Sequence, residues 1–277
     1  MKIIKKPQEI QKELKSINQN KTIGFIPTMG ALHNGHISLI KQARKENDIV
    51  VVSVFINPTQ FLANEDFSKY PQTTQNDIKI SKLCAVDILF MPMINDIYTK
   101  DEVIVKAPKK DGFILEGYNR PGHFDGMLQI VLKLLSIVSP NKAYFGKKDA
   151  QQLYLIKKMV KNFYLDLDII ECDIVREDDG LALSSRNIYL TNTQRDLALN
   201  ISKSLKIAKK TIESGILDCN SIELKILDIL NHKDISIEYI AFVDREFNKI
   251  DTIKLQQSII LIAIKIDTTR LIDNIWI

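Results

Sequence analysis

The chain has 277 residues, which at roughly 150 residues per domain is enough for two domains, or one large domain with an appendage. A hydrophobic fraction of 45% and a charged fraction of 26% lie near the average for soluble globular proteins and exclude a disordered, collagenous or coiled-coil chain. The net charge of +4 is dispersed, with no basic cluster of the kind that marks a nucleic-acid or membrane-surface binder.

In chain order, Lys21 to Ile26 reads as a short buried strand broken by Pro27, and Ile37, Leu39, Ile40 and Ala43 then follow a helical period. Ile49 to Ile56 is a β-branched run, as expected of a strand covered on both faces in a parallel sheet. A helix over 74–83, a strand over 88–91 and a further strand over 103–106 continue the alternation. From Phe124 the series Met127, Ile130, Val131, Leu134, Leu135, Val138 predicts a long helix ending before Pro140. A strand over 143–145, a helix over 150–163 and a strand over 167–172 follow. This alternation predicts an α/β fold, a Rossmann-like parallel sheet with helices on both faces and its ligand site at the carboxyl ends of the strands.

After about residue 176 the texture changes. Thr191-x-x-Gln194 is a capping-box signature for a helix that stops near Gly215, and a second helix covers 221–230. Strands over 237–243 and 259–266 complete a smaller α+β domain, so the expected domains are 1–176 and 177–277. The amino terminus lacks an apolar signal core and the longest apolar stretch is far too short to span a bilayer, which predicts a cytoplasmic protein. Cys84, Cys172 and Cys219 are scattered without metal-ligand spacing and read as reduced core thiols.

Scarce residue types concentrate in a few loops. Of four histidines, His33, His36 and His123 lie beside Gly35 and Gly122, and all eight prolines fall within the first 140 residues. The segment Pro27-Thr-Met-Gly30-Ala-Leu-His33-Asn-Gly35-His36 joins the first strand to the first helix, where backbone amides and a helix N-terminus make an anion site. Its glycines let a phosphate approach the main chain, and imidazole nitrogens can donate to that phosphate. The competing reading is that one histidine caps the helix and the other is a satisfied core residue. The loop is neither a Walker P-loop nor a G-x-G-x-x-G turn.

This loop resembles the H-x-G-H signature of the nucleotidyltransferase superfamily, shared with class I aminoacyl-tRNA synthetases. The fuller P-T-M-G-A-L-H-x-G-H is similar to the pantothenate synthetase family, whose members join pantoate to β-alanine at the expense of ATP. Four further segments carry the same resemblance in the same order. They are Asn57-Pro-Thr-Gln60-Phe61, Leu115-Glu116-Gly117 with Arg120-Pro-Gly-His123-Phe-x-Gly126, Phe145-Gly146-Lys147-Lys148-Asp149-x-Gln151-Gln152, and Leu183-Ser184-Ser185-Arg186-Asn187.

The resemblance implies an ATP-dependent ligase that forms pantoyl adenylate, with Mg2+ accompanying ATP, and a homodimer. It implies ATP contacts at Met29, Gly30, Ala31, Leu32, His33, Asn34, Gly35, His36, Gly146, Lys147, Lys148, Asp149, Val175, Leu183, Ser184, Ser185 and Arg186. His33, His36, Lys148 and Arg186 would be catalytic, Gln60 and Gln152 would hold pantoate, and β-alanine would bind near Gln60. The 180–187 segment, joining the two domains, would close over the triphosphate, and the metal ligands stay unassigned. Two other readings remain open at this stage. A nucleotidyltransferase acting on a phosphorylated cofactor precursor calls for extra arginines after the second strand, where Asn57 and Gln60 stand, and a non-enzymatic ATP sensor leaves the glutamines without a task.

Overall fold

The computed structural model describes residues 1–17, 20–62, 65 and 67–277. The chain divides into two units, one of Met1–Lys147 with Leu155–Asp173 and the other of Lys148–Tyr154 with Ile174–Ile277.

The first unit contains β1 (Lys2–Ile4), α1 (Pro7–Ser16), β2 (Ile23–Thr28), α2 (Asn34–Glu46), β3 (Ile49–Val54), α3 (Thr74–Leu83), β4 (Ile88–Phe90), α4 (Ile94–Ile97), α5 (Glu116–Asn119), α6 (His123–Val138) and β5 (Lys142–Gly146). Helix α7 (Ala150–Asn162), whose residues up to Tyr154 fall in the second unit, and strand β6 (Asp168–Cys172) follow. Among the described residues the strands form one parallel sheet in the order β1-β4-β3-β2-β5-β6. The β-branched strand β3 is central, and Val50, Val51 and Val52 are all fully buried, so both of its faces are covered. Ile40 and Ala43 of α2 join Ile26, Val50, Val52 and Tyr144 in one core cluster, while α6 packs on β2 and on α1.

The order reverses direction at β2. From β2 the chain steps through β3 and β4 one way, and β5 returns to the other side of β2. Such a topological switch point opens a crevice at the strands' carboxyl ends, where α/β sheets bind ligands. Strand β2 runs through Pro27 to Thr28, two residues beyond the expected break. The carbonyls of Thr22 and Thr28 face β3, and that of Ile23 faces Asn141 before β5. Pro27, in phase with Ile23, therefore points its missing N–H toward β5, whose pairing with β2 ends at Phe25–Ala143. No ladder bond is lost, and the two strands part there.

Two further departures have physical causes. The expected strand over 103–106 is irregular. Val105 N donates to Gln129 Oε1 at 2.6 Å, Ala107 N donates to Asp125 Oδ1 at 2.8 Å, and Gln129 Nε2 donates to the Val103 carbonyl at 2.9 Å. Side chains of α6 thus take the place of a neighbouring strand, and Val103 and Ile104 are exposed. Strand β1 carries too little apolar pattern over its three residues to be read from sequence.

In the second unit, α8 (Asn192–Glu213) and α9 (Cys219–Leu230) accompany an antiparallel sheet of β7 (Ile235–Asp244), β8 (Ser258–Ile266) and β9 (Thr269–Trp276) in that order. Thr191 and Gln194 form the expected capping box, the Gln194 amide donating to Thr191 Oγ1 at 3.3 Å and the Thr191 amide to Gln194 Oε1 at 3.0 Å. Apolar residues at helical spacing on α8 (Ala198, Ile201, Leu205, Ala208, Ile212) pack with Ile222 and Ile226 of α9 and Ile260, Ile262 and Ile264 of β8. Burial of this kind, about 25 cal/mol per Å² of apolar surface, gives the unit its own core. Strand β9 goes beyond the expected elements: its hairpin turn uses Asp267 at φ 53° with Thr268, instead of the Asn-Gly pair that advertises a two-residue turn.

Candidate active site

The loop after β2 is built against a buried carboxylate. Gly30 and Ala31 adopt positive φ of 87° and 51°, which turns successive amides toward Asp77 on α3. Asp77 Oδ2 accepts from Ala31 N at 3.1 Å, and Oδ1 accepts from Leu32 N at 2.8 Å and from Thr73 Oγ1 at 3.1 Å. Asp77 is only 1% exposed. A Cβ on Gly30 would stand 2.9 Å from Val54 Cγ1 and 3.0 Å from Asp77 Oδ2, so glycine is needed for both conformation and space.

The two histidines cap the helix together. His33 is the N-cap of α2; its Nδ1 accepts from Gly35 N at 3.1 Å, while His36 Nδ1 accepts from His33 N at 3.3 Å. This is a capping box with imidazoles in place of hydroxyl and carboxylate. The rings lie 4.1 Å apart between centroids. Because each Nδ1 is an acceptor, each neutral ring carries its proton on Nε2. The competing reading from sequence is thus met in part: both histidines cap the helix, and neither is a buried core residue. Gly30 N donates to Thr28 Oγ1 at 3.2 Å. The amides of Gly30, Ala31, Leu32, His33 and Gly35 are thus used within the protein, which shifts the loop's capacity to donate toward the imidazole rings. Asn34 opens the helix as an exposed residue.

Gln60 sits at the end of a 3-10 turn, Pro58–Gln60, that follows β3. It is 9% exposed; its Oε1 accepts from Asn57 Nδ2 at 3.2 Å and its Nε2 donates to Met29 Sδ at 2.9 Å. Met29 and Gln60, far apart in sequence, are thus brought together from the ends of adjacent strands. Gly146 ends β5 on the other side of the switch point, and Lys147 opens the 3-10 turn that follows. A Cβ on Gly146 would have no protein atom within 4 Å, and Lys147 pairs with Asp173 at 2.6 Å.

His123 lies beneath Gln60 and is 7% exposed. Burial, then the Arg120 guanidinium, pulls its pKa from 6.5 to about 4, against the bond to the Gln60 carbonyl and the Glu65 and Glu116 carboxylates. The unfolded chain accordingly takes up a proton near pH 6.5 that the folded chain refuses until about pH 4. Stability is complete above this window and falls as pH is lowered through it, by something of the order of 3 kcal/mol. Urea denaturation at pH 7 and pH 4.5 checks this: His123→Asn is expected to flatten the dependence, and an unchanged slope would assign the loss to other groups.

In the second unit, Lys148 and Asp149 occupy a 3-10 turn before α7, with Lys148 Nζ 3.7 Å from Asp149 Oδ1. The Lys148 carbonyl accepts from Asn274 Nδ2 at 2.7 Å, and Gln152 lies half-buried in the first turn of α7. The 180–187 segment is tied to its own unit. Leu183 N donates to the Val175 carbonyl at 3.0 Å, Ser184 Oγ accepts from Arg186 N at 3.3 Å, and Asn187 Nδ2 donates to Glu177 Oε1 at 3.0 Å. Ser185 and Arg186 are half-exposed. Arg176 bridges Asp273 of β9 at 2.6 and 2.9 Å. Sequence reasoning missed that pair, as well as the Asp77 cradle and the Arg120–Glu65 contact.

A Rossmann-like parallel sheet with an H-x-G-H loop at its switch point defines the class: an α/β enzyme of the kind that handles nucleotides. The chain belongs to the pantoate–β-alanine ligase family, whose model matches residues 2–276. It is 56% identical to the pantothenate synthetase of Aliarcobacter butzleri over 277 residues, covering 100% of both chains. It is 53% identical to that of Sulfurimonas denitrificans with the same coverage. The crystal structure of pantothenate synthetase from Thermus thermophilus superimposes with a TM-score of 0.94 at 32% identity, covering 100% of this chain and 99% of that one. The enzyme from Francisella tularensis, solved with β-γ ATP and β-alanine, matches with a TM-score of 0.82 at 40% identity, covering 100% and 97%. The chain is therefore a ligase of pantoate and β-alanine, and the phosphorylated-precursor and ATP-sensor readings are set aside.

Proposed function

We propose that the chain condenses (R)-pantoate with β-alanine in two half-reactions. A pantoate carboxylate oxygen attacks the α-phosphorus of ATP and pyrophosphate leaves. The β-alanine amine then attacks the acyl carbon of pantoyl adenylate, AMP leaves with the electron pair of the broken C–O bond, and pantothenate is released. Activation is needed because a free carboxylate would have to expel oxide, whereas AMP is a stable leaving group. No covalent enzyme intermediate is required, so catalysis rests on positioning and on donors aimed at the phosphates.

The observation that carries this reading is the meeting of the His33–His36 loop with Gln60, through Met29, at the switch point of the sheet. The Nε2–H groups of His33 and His36 donate to the phosphate oxygens, which gain charge as pyrophosphate departs. The Gln60 amide donates to one pantoate oxygen and accepts from a hydroxyl. Its present acceptor, the Met29 thioether, is a weak one, so a pantoate oxygen replaces it at small cost. A bidentate arginine would bind the carboxylate more firmly in the ground state and blunt its attack. Gln152 is assigned to pantoate as well, and β-alanine to the neighbourhood of Gln60. Lys148, Ser184, Ser185 and Arg186 supply charge and hydroxyl donors to the triphosphate.

ATP enters as its Mg2+ complex. Among the described residues no group of three or more His, Cys, Asp or Glu side chains is arranged to hold a metal, so the ion is taken as arriving on the phosphates, as Mg2+ commonly does. We assign the active form as a homodimer of the cytoplasm, the former checked by light scattering. Pyrophosphate release that requires pantoate but not β-alanine in a single turnover tests the reaction order. Release dependent on β-alanine but not pantoate would contradict it.

A further inference from the structure

We propose that His123 is a positioning residue for pantoate: a neutral ring pinned between the Arg120–Glu65 ion pair and the Gln60 carbonyl, it fixes the backbone from which the Gln60 amide meets its substrate. The inference deepens, and rests on, the assignment of Gln60 to pantoate.

The neighbours of His123 settle its protonation by themselves. Nδ1 stands 2.7 Å from the Gln60 carbonyl oxygen, which can only accept, so Nδ1 carries the proton. Nε2 stands 3.0 Å from Arg120 Nη1, which can only donate, so Nε2 offers its lone pair. One tautomer satisfies both contacts, and a doubly protonated ring would set an N–H against a guanidinium. Burial, which keeps the ring neutral at ordinary pH, acts in the same direction. Arg120 is itself held, by Glu65 Oε1 at 2.5 Å from Nε and by Oε2 at 2.7 Å from Nη2.

The start of α6 grips the same turn elsewhere. A Cβ on Gly126 would come 2.1 Å from the Thr59 carbonyl oxygen and 2.7 Å from Gln60 N, so helix and turn touch backbone to backbone. The Gly126 carbonyl accepts from Asn57 Nδ2 at 3.0 Å, and Asn57 Oδ1 accepts from Tyr98 Oη at 2.6 Å. Gln60 is thus fixed through its side chain by Asn57 and through its carbonyl by His123. Arg120 meets the turn through the ring, and Glu65 Oε2 also accepts from Leu62 N at 3.1 Å, two residues beyond Gln60.

The test uses His123→Leu, His123→Gln, His123→Asn and Gln60→Ala in the full-length enzyme. It measures the KM for pantoate and for ATP and the hydrogen exchange of peptide 57–62. An asparagine amide can occupy the place of ring Nδ1 and donate to the Gln60 carbonyl, whereas glutamine reaches the Nε2 position and loses that bond. His123→Leu and His123→Gln should raise the pantoate KM about tenfold or more and speed exchange of 57–62, while moving the ATP KM less than about twofold. His123→Asn should recover most of both effects. Parallel rises in the two KM values, unchanged exchange, or an asparagine variant no better than leucine would overturn the proposal. Gln60→Ala separates the premise: if it leaves the pantoate KM unmoved, the substrate assignment of Gln60 fails, and the exchange data still decide whether His123 holds the turn.

Discussion

Replacing His36 by alanine is expected to slow pantoate-dependent pyrophosphate formation by about a hundredfold or more, the usual cost of removing one transition-state donor. The same change deletes the acceptor for the His33 amide, so about 1 kcal/mol of stability should go with it. His36→Gln separates the two effects, because glutamine at the third helical position can still accept from the N-cap amide but presents no imidazole N–H. It should melt near the wild-type temperature and remain as slow as the alanine variant. With synthetic pantoyl adenylate supplied, both variants should recover much of the β-alanine step. Equal losses in both half-reactions would remove His36 from the phosphate chemistry.

Asp77→Asn carries the second large effect. The carboxylate offers oxygen to both the Ala31 and Leu32 amides from a site that is 1% exposed. An asparagine has one oxygen, so one buried N–H must face an NH2 group. Leaving such a donor unsatisfied costs about 1–3 kcal/mol, and the alternative is a shift of a loop whose Gly30 and Ala31 already sit at positive φ. Because that loop also presents Met29 and the paired histidines, adenylate formation should fall by roughly thirtyfold or more, with the KM values for ATP and pantoate both raised. Urea denaturation and initial rates together check this. A variant within about 0.5 kcal/mol of wild type and of normal rate would show that the loop holds its shape without Asp77.

The parallel sheet was legible because β3 announces itself. A β-branched run buried on both faces has few other uses, and the helices around it carry clean periods, as from Met127 to Val138. The Thr191–Gln194 box marked where α8 begins, and the helix ends at Glu213, close to the expected Gly215. Less was legible where partners are distant. Nothing near Val103 announces that Gln129 and Asp125 will take up its segment's backbone groups, and nothing near Pro27 tells that β5 has already turned away. The candidate site shows the same division. The H-x-G-H loop, the N-P-x-Q-F segment and the Arg120–Gly126 string stand out, whereas Asp77 and Glu65 are ordinary charged residues until the fold sets Asp77 against Ala31 and Leu32 and Glu65 against Arg120. Capping by one of the two histidines was legible as the competing reading, whereas their mutual capping at three-residue spacing was not, because histidine is rare in that role.

The central claim is that pantoate is activated as an acyl adenylate, and isotope transfer tests it most directly. Pantoate labelled with 18O in both carboxylate oxygens, incubated with ATP, β-alanine and the enzyme, should yield AMP bearing one labelled oxygen and pantothenate retaining one in its amide carbonyl. Unlabelled AMP, or label found in inorganic phosphate beside ADP, would contradict attack by pantoate on the α-phosphorus.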